Sequence, residues 1–370
     1  MLKKTLTALA VLGAFSAAST AADVTLYGKI DMGLKYTNVD KTGFDGINHQ
    51  QDTLELKGGA GQANRIGLTA TEDLGNGLTV GFKLENGFVL DDGQVSSDTR
   101  LFGREATLFV KGDFGSVYAG RFCAVSTAGG PFNVVLPRAD NFNGGHKEVL
   151  GYVKLPRQDN MMGYQTPKIA GFQASALYSM KGDNLKEAET HLEGHDSANR
   201  YAAFAATYDI GALQTGFSFE QVMVSSLEAA KDDAKVVTMG GNYNFGAYRL
   251  FAMAQYFEGM GKIGFDLPVD GLSKEQAEGY TLHMGAKFKA LEGDWDIGAY
   301  WSDAKANRAD GDVDGEYFGI ATRYVYNFTK RTNLRLSAGF DTTTWDRYGD
   351  KKQDFEQERY FGIAALTHNF

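Results

Sequence analysis

Apolar and polar residues alternate with a period of two along most of the chain. Between residues 24 and 36 the even positions are apolar or glycine, whereas the charged residues Lys29, Asp31 and Lys35 occupy odd positions. Successive residues of a strand point to opposite faces of a sheet. The alternation therefore predicts strands with one apolar face and one polar face.

Sixteen segments carry this pattern, and most are about ten residues long, which is the length that a tilted strand needs to cross a bilayer. They are 24–37, 62–72, 78–88, 102–112, 115–121, 160–166, 171–181, 200–209, 213–223, 236–245, 248–258, 280–289, 294–303, 317–328, 333–345 and 359–370. Short turns such as 73–77 alternate with long polar connections such as 39–61 and 259–279. This arrangement predicts an all-β fold, a transmembrane antiparallel β-barrel of sixteen strands.

A soluble β-sandwich or propeller is the alternative fold. The core of one sandwich rarely accommodates sixteen strands, and no blade motif repeats about every 40 residues.

The first 22 residues are predicted to be a cleaved signal peptide. Lys3 and Lys4 precede a short apolar run over 6–18, and small residues at 19–22 follow it. Cleavage after Ala21 or Ala22 leaves the barrel domain, residues 23–370. The mature chain is therefore expected beyond the inner membrane.

Composition excludes several classes of protein. The chain has 37 basic and 46 acidic residues, a net charge of −9 that becomes −11 when the two leader lysines are removed. This acidic balance argues against nucleic-acid binding, which needs a basic face. Cys123, the single cysteine, excludes a disulfide framework and a cysteine-based zinc site.

Short motifs throughout the mature chain resemble those of the general porins of the Gram-negative outer membrane. These motifs lie at 24–28, 65–68, 72–78, 101–104, 114–121, 164–167, 326–332 and 368–370. The resemblance implies a homotrimer in outer-membrane lipid that passes ions and small hydrophilic solutes without covalent chemistry. It also implies that the barrel-assembly machinery reads the last strand, which ends at Phe370.

The longest connection without alternation covers about 122–159, and the resemblance implies that it folds into the lumen as the third loop. In such porins, arginines on the wall face acids on this loop. The candidate constriction residues are Arg65, Arg157, Arg104, Lys29, Lys83, Glu85, Asp140 and Glu148.

Two arginines have the parity of the apolar face. Arg104 shares parity with Ala106 and Leu108, so it would reach the lumen only through a bulge. Arg121 shares parity with Ala119, which favours a contact between subunits of the trimer.

Four further hypotheses remain open. Asp310, Asp312 and Asp314 match the first half of a calcium loop, but Ala321 stands where a bidentate Glu should close it. A saturable site for one solute would make the channel substrate-specific. A barrel hydrolase would need His283, and a surface adhesin would be soluble without detergent. Nothing in the sequence decides between anion and cation preference.

Overall fold

The computed structural model describes residues 24–97, 100–182, 192–228, 232–261, 263–265, 276–306, 312–347 and 354–370. The predicted signal peptide lies outside these residues. The regular structure consists of the strands β1 Thr25–Thr42, β2 Asn48–Gly58, β3 Arg65–Gly75, β4 Leu78–Gly87, β5 Glu105–Gly112, β6 Gly115–Phe122, β7 Gln158–Gln165, β8 Phe172–Ser179, β9 Arg200–Ile210, β10 Leu213–Met223, β11 Ala234–Asn244, β12 Tyr248–Met260, β13 Ala277–Ala290, β14 Gly293–Ala306, β15 Val313–Asn327, β16 Thr332–Arg347 and β17 Phe355–Asn369, with one helical turn, α1, at Leu136–Ala139 and a 3₁₀ turn at Ser226–Glu228.

These strands form one closed antiparallel sheet. Apart from β2 and β3, each pairs with its neighbour in sequence, and β17 returns to pair with β1 over Lys29–Thr42. β2 pairs with Met32–Thr42 of β1, and β3 pairs with Thr25–Lys29 of the same strand. β2 and β3 are therefore collinear and share one position in the wall. The barrel thus has sixteen wall positions, and the predicted fold is confirmed.

The prediction of a loop over 39–61 was wrong, because β2 lies within it. The segment Asn48–Gly58 is polar apart from Leu54 and Leu56. It therefore lacks the apolar face by which the other strands are recognised.

The two faces of the wall have the polarity that the alternation predicts. Leu34 and Tyr36 are exposed on the outer face, whereas Asp31 and Lys35 on the inner face are buried. In β13 the outward Met284 is 73 % exposed and the inward His283 is 2 % exposed. Apolar side chains thus face the lipid, and polar ones face the barrel interior.

Among the residues described, no helix is both long enough and apolar enough to cross a bilayer.

The last residue of the chain completes the sheet. The Gly28 N–H donates to the Phe370 carbonyl oxygen at 3.0 Å, and the Phe370 N–H donates to the Gly28 carbonyl oxygen at 3.1 Å. The Phe370 ring covers Gly28, where a Cβ would lie 2.3 Å from the ring.

A charge on the lipid face of β13 should destabilise the barrel. We expect Met284→Arg to lower the free energy of unfolding by about 2–4 kcal/mol, because mid-strand Met284 faces hydrocarbon. Urea unfolding in lipid vesicles, followed by tryptophan fluorescence, measures this change. Lys287→Arg, which places the same residue on the inner face of the same strand, is the control and should be neutral. Equal stability of the two variants would contradict the assignment of the faces.

Candidate pore constriction

The connection between β6 and β7, residues 123–157, packs against the inner face of the wall. We call it the long connection. It contributes a set of almost fully buried apolar residues: Ala124, Val125, Phe132, Val135, Leu136, Ala139, Phe142, Val149, Tyr152, Val153 and Leu155. They join inward-facing Leu177, Val236, Met253 and Phe257 in one hydrophobic cluster. Inward positions can be apolar here because the long connection, rather than water, covers them.

Small wall residues allow close approach at two places. A Cβ on Gly285 would lie 2.1 Å from Asn141 Oδ1. A Cβ on Gly163 would lie 2.5 Å from the Phe132 ring. Because these are inward positions of β13 and β7, the long connection contacts well-separated parts of the wall.

Asp140 anchors the middle of the long connection. Its carboxylate accepts hydrogen bonds from the Phe142 N–H at 2.8 Å and the Gly144 N–H at 3.0 Å, and from the Tyr152 and Tyr300 hydroxyls at 3.2 and 3.1 Å. It is fully buried. Burial opposes ionisation, but His283 and the backbone donors hold the pKa of Asp140 below its usual value.

The apex of the long connection, residues 146–148, contacts β1 and β17. Lys35 Nζ donates to Glu148 Oε2 at 2.7 Å, and Arg359 Nη2 donates to the Glu148 carbonyl oxygen. The His146 ring stacks on Phe361 with the centroids 5.0 Å apart. Burial, and then the nearby Arg323, lower the pKa of His146 to about 3.

A basic cluster lines the inner face where β1, β3, β4 and β5 meet, and it includes Arg157 of the long connection and Arg335 of β16. Its cations are Lys29, Arg65, Lys83, Arg104, Arg157 and Arg335, and its acids are Asp31, Glu85 and Glu105. Most of these cations lie close enough to Arg104 or Arg65 for direct electrostatic influence. We call this set the basic cluster.

Glu85 organises the basic cluster. It accepts from Arg104 Nε at 2.6 Å and from the Tyr27 hydroxyl at 2.9 Å, and its carboxylate lies 3.9 Å from Arg65 Nη1. The neighbouring Lys83 donates to Glu105 at 2.7 Å. The two carboxylates thus lie on the same wall as the arginines.

The structure places the Arg104 side chain on the inner face, whereas its parity predicts the outer face. The residue precedes β5 in a bend, so the side chain turns to the inner face and bonds Glu85. Arg157 lies beside it, and its Nε donates to the Arg104 carbonyl oxygen at 2.8 Å. Both predicted arginines therefore join Arg65 in the basic cluster.

The two acids predicted to face the arginines do not do so. Asp140 is buried beneath its donors, and Glu148 is 8 % exposed and paired with Lys35. They are the acids of residues 123–157, so the long connection offers the lumen no unpaired carboxylate. Neither position could be located from the sequence, because the long connection has no periodic backbone.

Sequence reasoning missed Arg335 and the turn at residues 59–64 between β2 and β3. Arg335 has lumenal parity in β16, and β17 separates β16 from β1. Because the sheet is closed, β16 lies only two strands from β1, and this brings Arg335 near Lys29. In the turn, the Gly61 N–H donates to Asp31 Oδ1 at 2.8 Å, and Lys29 Nζ donates to Gln62.

Two other predicted sites are described at least in part. Arg121 Nη1 donates to Asp159 at 2.7 Å, and its part in a trimer stays a prediction. Asp312 pairs with Lys305 at 2.7 Å, whereas Asp310 lies outside the described residues, so calcium binding also stays a prediction.

His283, on which the hydrolase hypothesis depends, is buried in the barrel. Its ring stacks on Tyr300 with centroids 4.3 Å apart, and its Nε2 lies 3.5 Å from Asp140 Oδ1. These contacts assign His283 to the anchor of the long connection.

Comparison with known proteins gives consistent matches over most of the chain. A family model described as Gram-negative porin matches residues 6–345. An outer membrane porin protein of Bordetella pertussis is 30 % identical over 360 residues, covering 90 % of this chain and 92 % of the relative. Outer membrane porin protein 32 of Delftia acidovorans is 30 % identical over 352 residues, covering 92 % and 89 %.

Solved structures share the fold at lower identity. The anion-selective porin from Comamonas acidovorans superimposes with a TM-score of 0.62 at 22 % identity, covering 95 % of this chain and 100 % of that one. The trimer form of OmpT from Vibrio cholerae gives a TM-score of 0.63 at 16 % identity, with coverage of 95 % and 100 %.

Acid should loosen the apex of the long connection. Buried His146 stays neutral in the packed state down to about pH 3, whereas an exposed histidine takes a proton below about pH 6.5. Release of the apex is therefore coupled to protonation of His146. The free energy that favours the packed apex should fall by about 2 kcal/mol between pH 7 and pH 5. Asp140 stays ionised in this window, because its lowered pKa lies further from it.

Hydrogen exchange over residues 141–150, corrected for intrinsic rates, measures this loss of protection. His146→Phe keeps a ring against Phe361 and should show a smaller pH dependence. Identical protection of the native chain at pH 7 and pH 5 would contradict the prediction.

Proposed function

The chain belongs to the Gram-negative porin family and is an outer-membrane channel for passive diffusion of solutes, and within this function we propose that its constriction prefers anions. The observation that carries the proposal is the basic cluster. It holds six cations against three acids, and no unpaired acid of the long connection faces it.

The geometry supports a positive potential along the ion path. Glu85 and Glu105 lie on the same wall as the arginines and offset part of their charge. The excess of three cations stays uncompensated within the cluster. Field lines concentrate in a narrow polar channel with low-dielectric walls, so this excess raises the local concentration of anions.

The net charge of the whole chain does not oppose this proposal. Selectivity is set where the path is narrowest, whereas charges on the outer loops are screened within about 8–10 Å at physiological salt. We further propose that the long connection narrows the lumen and directs solutes along the basic cluster. Its burial against the inner wall supports this role. The structural neighbour from Comamonas acidovorans, described as anion-selective, is consistent with it.

We also propose that the protein works as a homotrimer in outer-membrane lipid, with the β17 end read by the assembly machinery. The apolar outer face and the Phe370 closure of the sheet support these partners. The trimer form known for OmpT of Vibrio cholerae, which shares the fold, supports the oligomeric state.

Insertion of one trimer into a planar bilayer should raise the current in a single step, which high voltage should then close in three equal steps. Each subunit carries its own lumen, so one trimer opens three channels. Closure of each inserted unit in one step at high voltage would contradict the trimer. Chemical cross-linking in detergent provides an independent measurement.

Selectivity can be tested by reversal potentials across a tenfold KCl gradient. We expect the native channel to prefer chloride, and Arg65→Gln to lower the chloride-to-potassium permeability ratio about twofold or more. A unit charge roughly 8 Å from an ion in water contributes about 0.5 kcal/mol, which corresponds to this change. Arg157→Ala should shift the potential in the same direction.

Lys330→Gln removes a charge from the exposed turn between β15 and β16 and serves as the matched control. It should leave the reversal potential unchanged. A native channel that prefers potassium would refute the proposed preference, and an unchanged potential in Arg65→Gln would remove Arg65 from the constriction.

A further inference from the structure

Inward-facing residues of β12–β17 are apolar near one mouth of the barrel. This mouth, opposite to Thr25 and Phe370, is called the distal mouth below. The apolar residues there are buried, and they are Phe257, Met260, Ala277, Ala304, Ala306, Val313, Tyr317, Trp345 and Phe355. A wall that faces a water-filled lumen is polar, so this part of the wall requires a cover.

The connection between β12 and β13 supplies part of this cover. Residues 263–265 of this connection are called the inserted segment, and within it Ile263 and Phe265 are only 6 % and 8 % exposed. Both belong to the hydrophobic cluster that contains Val149 and Tyr152 of the long connection. The inserted segment is therefore folded into the barrel and packs on the same core.

A stack of three rings joins the inserted segment to the wall. The Phe265 ring stacks on the Tyr317 ring with centroids 5.1 Å apart and on the Trp345 ring at 5.7 Å. Tyr317 and Trp345 are almost fully buried. Stacked rings add a specific attraction to the burial of apolar surface, so Phe265 fixes the inserted segment against β15 and β16.

Gly264 brings the inserted segment against the long connection. A Cβ on Gly264 would lie 2.4 Å from the Tyr152 carbonyl oxygen and 2.7 Å from the Tyr152 nitrogen. The two backbones thus approach as closely as only a glycine allows. Because the Tyr152 hydroxyl donates to Asp140, the inserted segment covers the part of the long connection that Asp140 anchors.

The inserted segment and the long connection lie on the same side of the lumen. The long connection follows the inner wall from β7, where Phe132 covers Gly163, to β17, where His146 stacks on Phe361. The strands β15 and β16, which hold the inserted segment, belong to this part of the wall. Both pieces of chain therefore occupy the side of the lumen away from most of the basic cluster.

A small cavity beside Phe265 has no excess charge. Its volume is about 150 Å³, and its lining includes two cations, Lys147 and Arg359, and two acids, Glu148 and Asp341. A cavity with balanced charges does not concentrate ions of either sign, whereas the basic cluster has an excess of cations. The charges thus direct an anion along the basic cluster rather than past Phe265.

We propose that the inserted segment is a second constricting element of the channel and that Phe265 holds it in place. By covering the β12–β17 side of the distal mouth and the long connection beneath it, the inserted segment confines solutes to the side of the basic cluster. This proposal rests on the diffusion channel described above and adds a residue that sets its size limit.

Uptake of neutral sugars of increasing size into proteoliposomes measures the size limit. Phe265→Ala removes a buried ring, which should shift the docking equilibrium of the inserted segment about tenfold or more toward release. Larger sugars should then enter, and single-channel conductance should rise. Phe265→Tyr keeps the ring and should retain the native limit. Leu227→Ala, which removes an exposed side chain between β10 and β11, is the matched control.

Trp345 reports directly on the docking of the inserted segment. The chain has three tryptophans, so replacing Trp295 and Trp301 by phenylalanine leaves Trp345 as the only one. Acrylamide should quench its fluorescence weakly in the native background, because Trp345 is fully buried. Quenching should increase strongly in Phe265→Ala and stay weak in Leu227→Ala.

A second variant releases the inserted segment by another contact. Gly264→Val leaves the three rings in place but adds a side chain where the Tyr152 backbone approaches, and it should also admit larger sugars. An unchanged sugar limit in both Phe265→Ala and Gly264→Val would overturn the proposal, whether or not Trp345 becomes accessible. Strong quenching of Trp345 in the native background would overturn it as well, because the inserted segment would then not be docked.

Reversal potentials in KCl separate this result from the proposed anion preference. Sugars carry no charge, so their uptake measures width independently of ion selectivity. If the native channel prefers potassium, the anion preference is refuted and the size limit set by Phe265 stands. If chloride is preferred and the sugar limit is the same in the native channel and both variants, the role of the inserted segment alone is refuted.

Discussion

Hydrocarbon offers no hydrogen-bond partner to a backbone N–H or C=O group, and this constraint governs the whole molecule. Every strand must pair on both sides within the bilayer, so the sheet closes between β1 and β17, and the last residue completes the pairing at Gly28. Closure also creates the interior that gives the protein its function. The same strands that present Leu34 and Met284 to lipid turn Lys35 and His283 inward.

The interior is divided into two parts of different chemistry. Where the long connection covers the wall, inward positions such as Val236 and Phe257 are apolar, and the contact resembles the core of a soluble protein. Where the wall stays uncovered, lysines and arginines dominate. Asp140 holds the boundary in place, since its carboxylate binds both the long connection and Tyr300 of the wall. The same segment thus provides internal packing and leaves a charged passage beside it.

Most of the wall could be predicted from the sequence, because a strand between lipid and water has to alternate. β2 was missed since its outer face is largely polar, and residues 59–64 were not recognised as a turn. Charged residues within strands, such as Arg65 and Lys83, have the inward position that their parity predicts. Arg104 and Asp140 could not be placed, because a bend and an aperiodic connection orient them. Arg335 required the neighbour relations of a closed sheet, which no local pattern contains.

The turn at residues 59–64 divides one wall position of the barrel into two strands, β2 and β3, at different heights along β1. Below it, Arg65 stays paired with Lys29 through the register of β3 on β1. Above it, the β1–β2 hairpin has its own pairing from Met32 to Thr42. Lengthening or replacing the hairpin tip therefore need not alter the register of the charged residues beneath. Because the two pairings are independent, the exposed tip is a position where foreign peptides could be inserted at constant permeability.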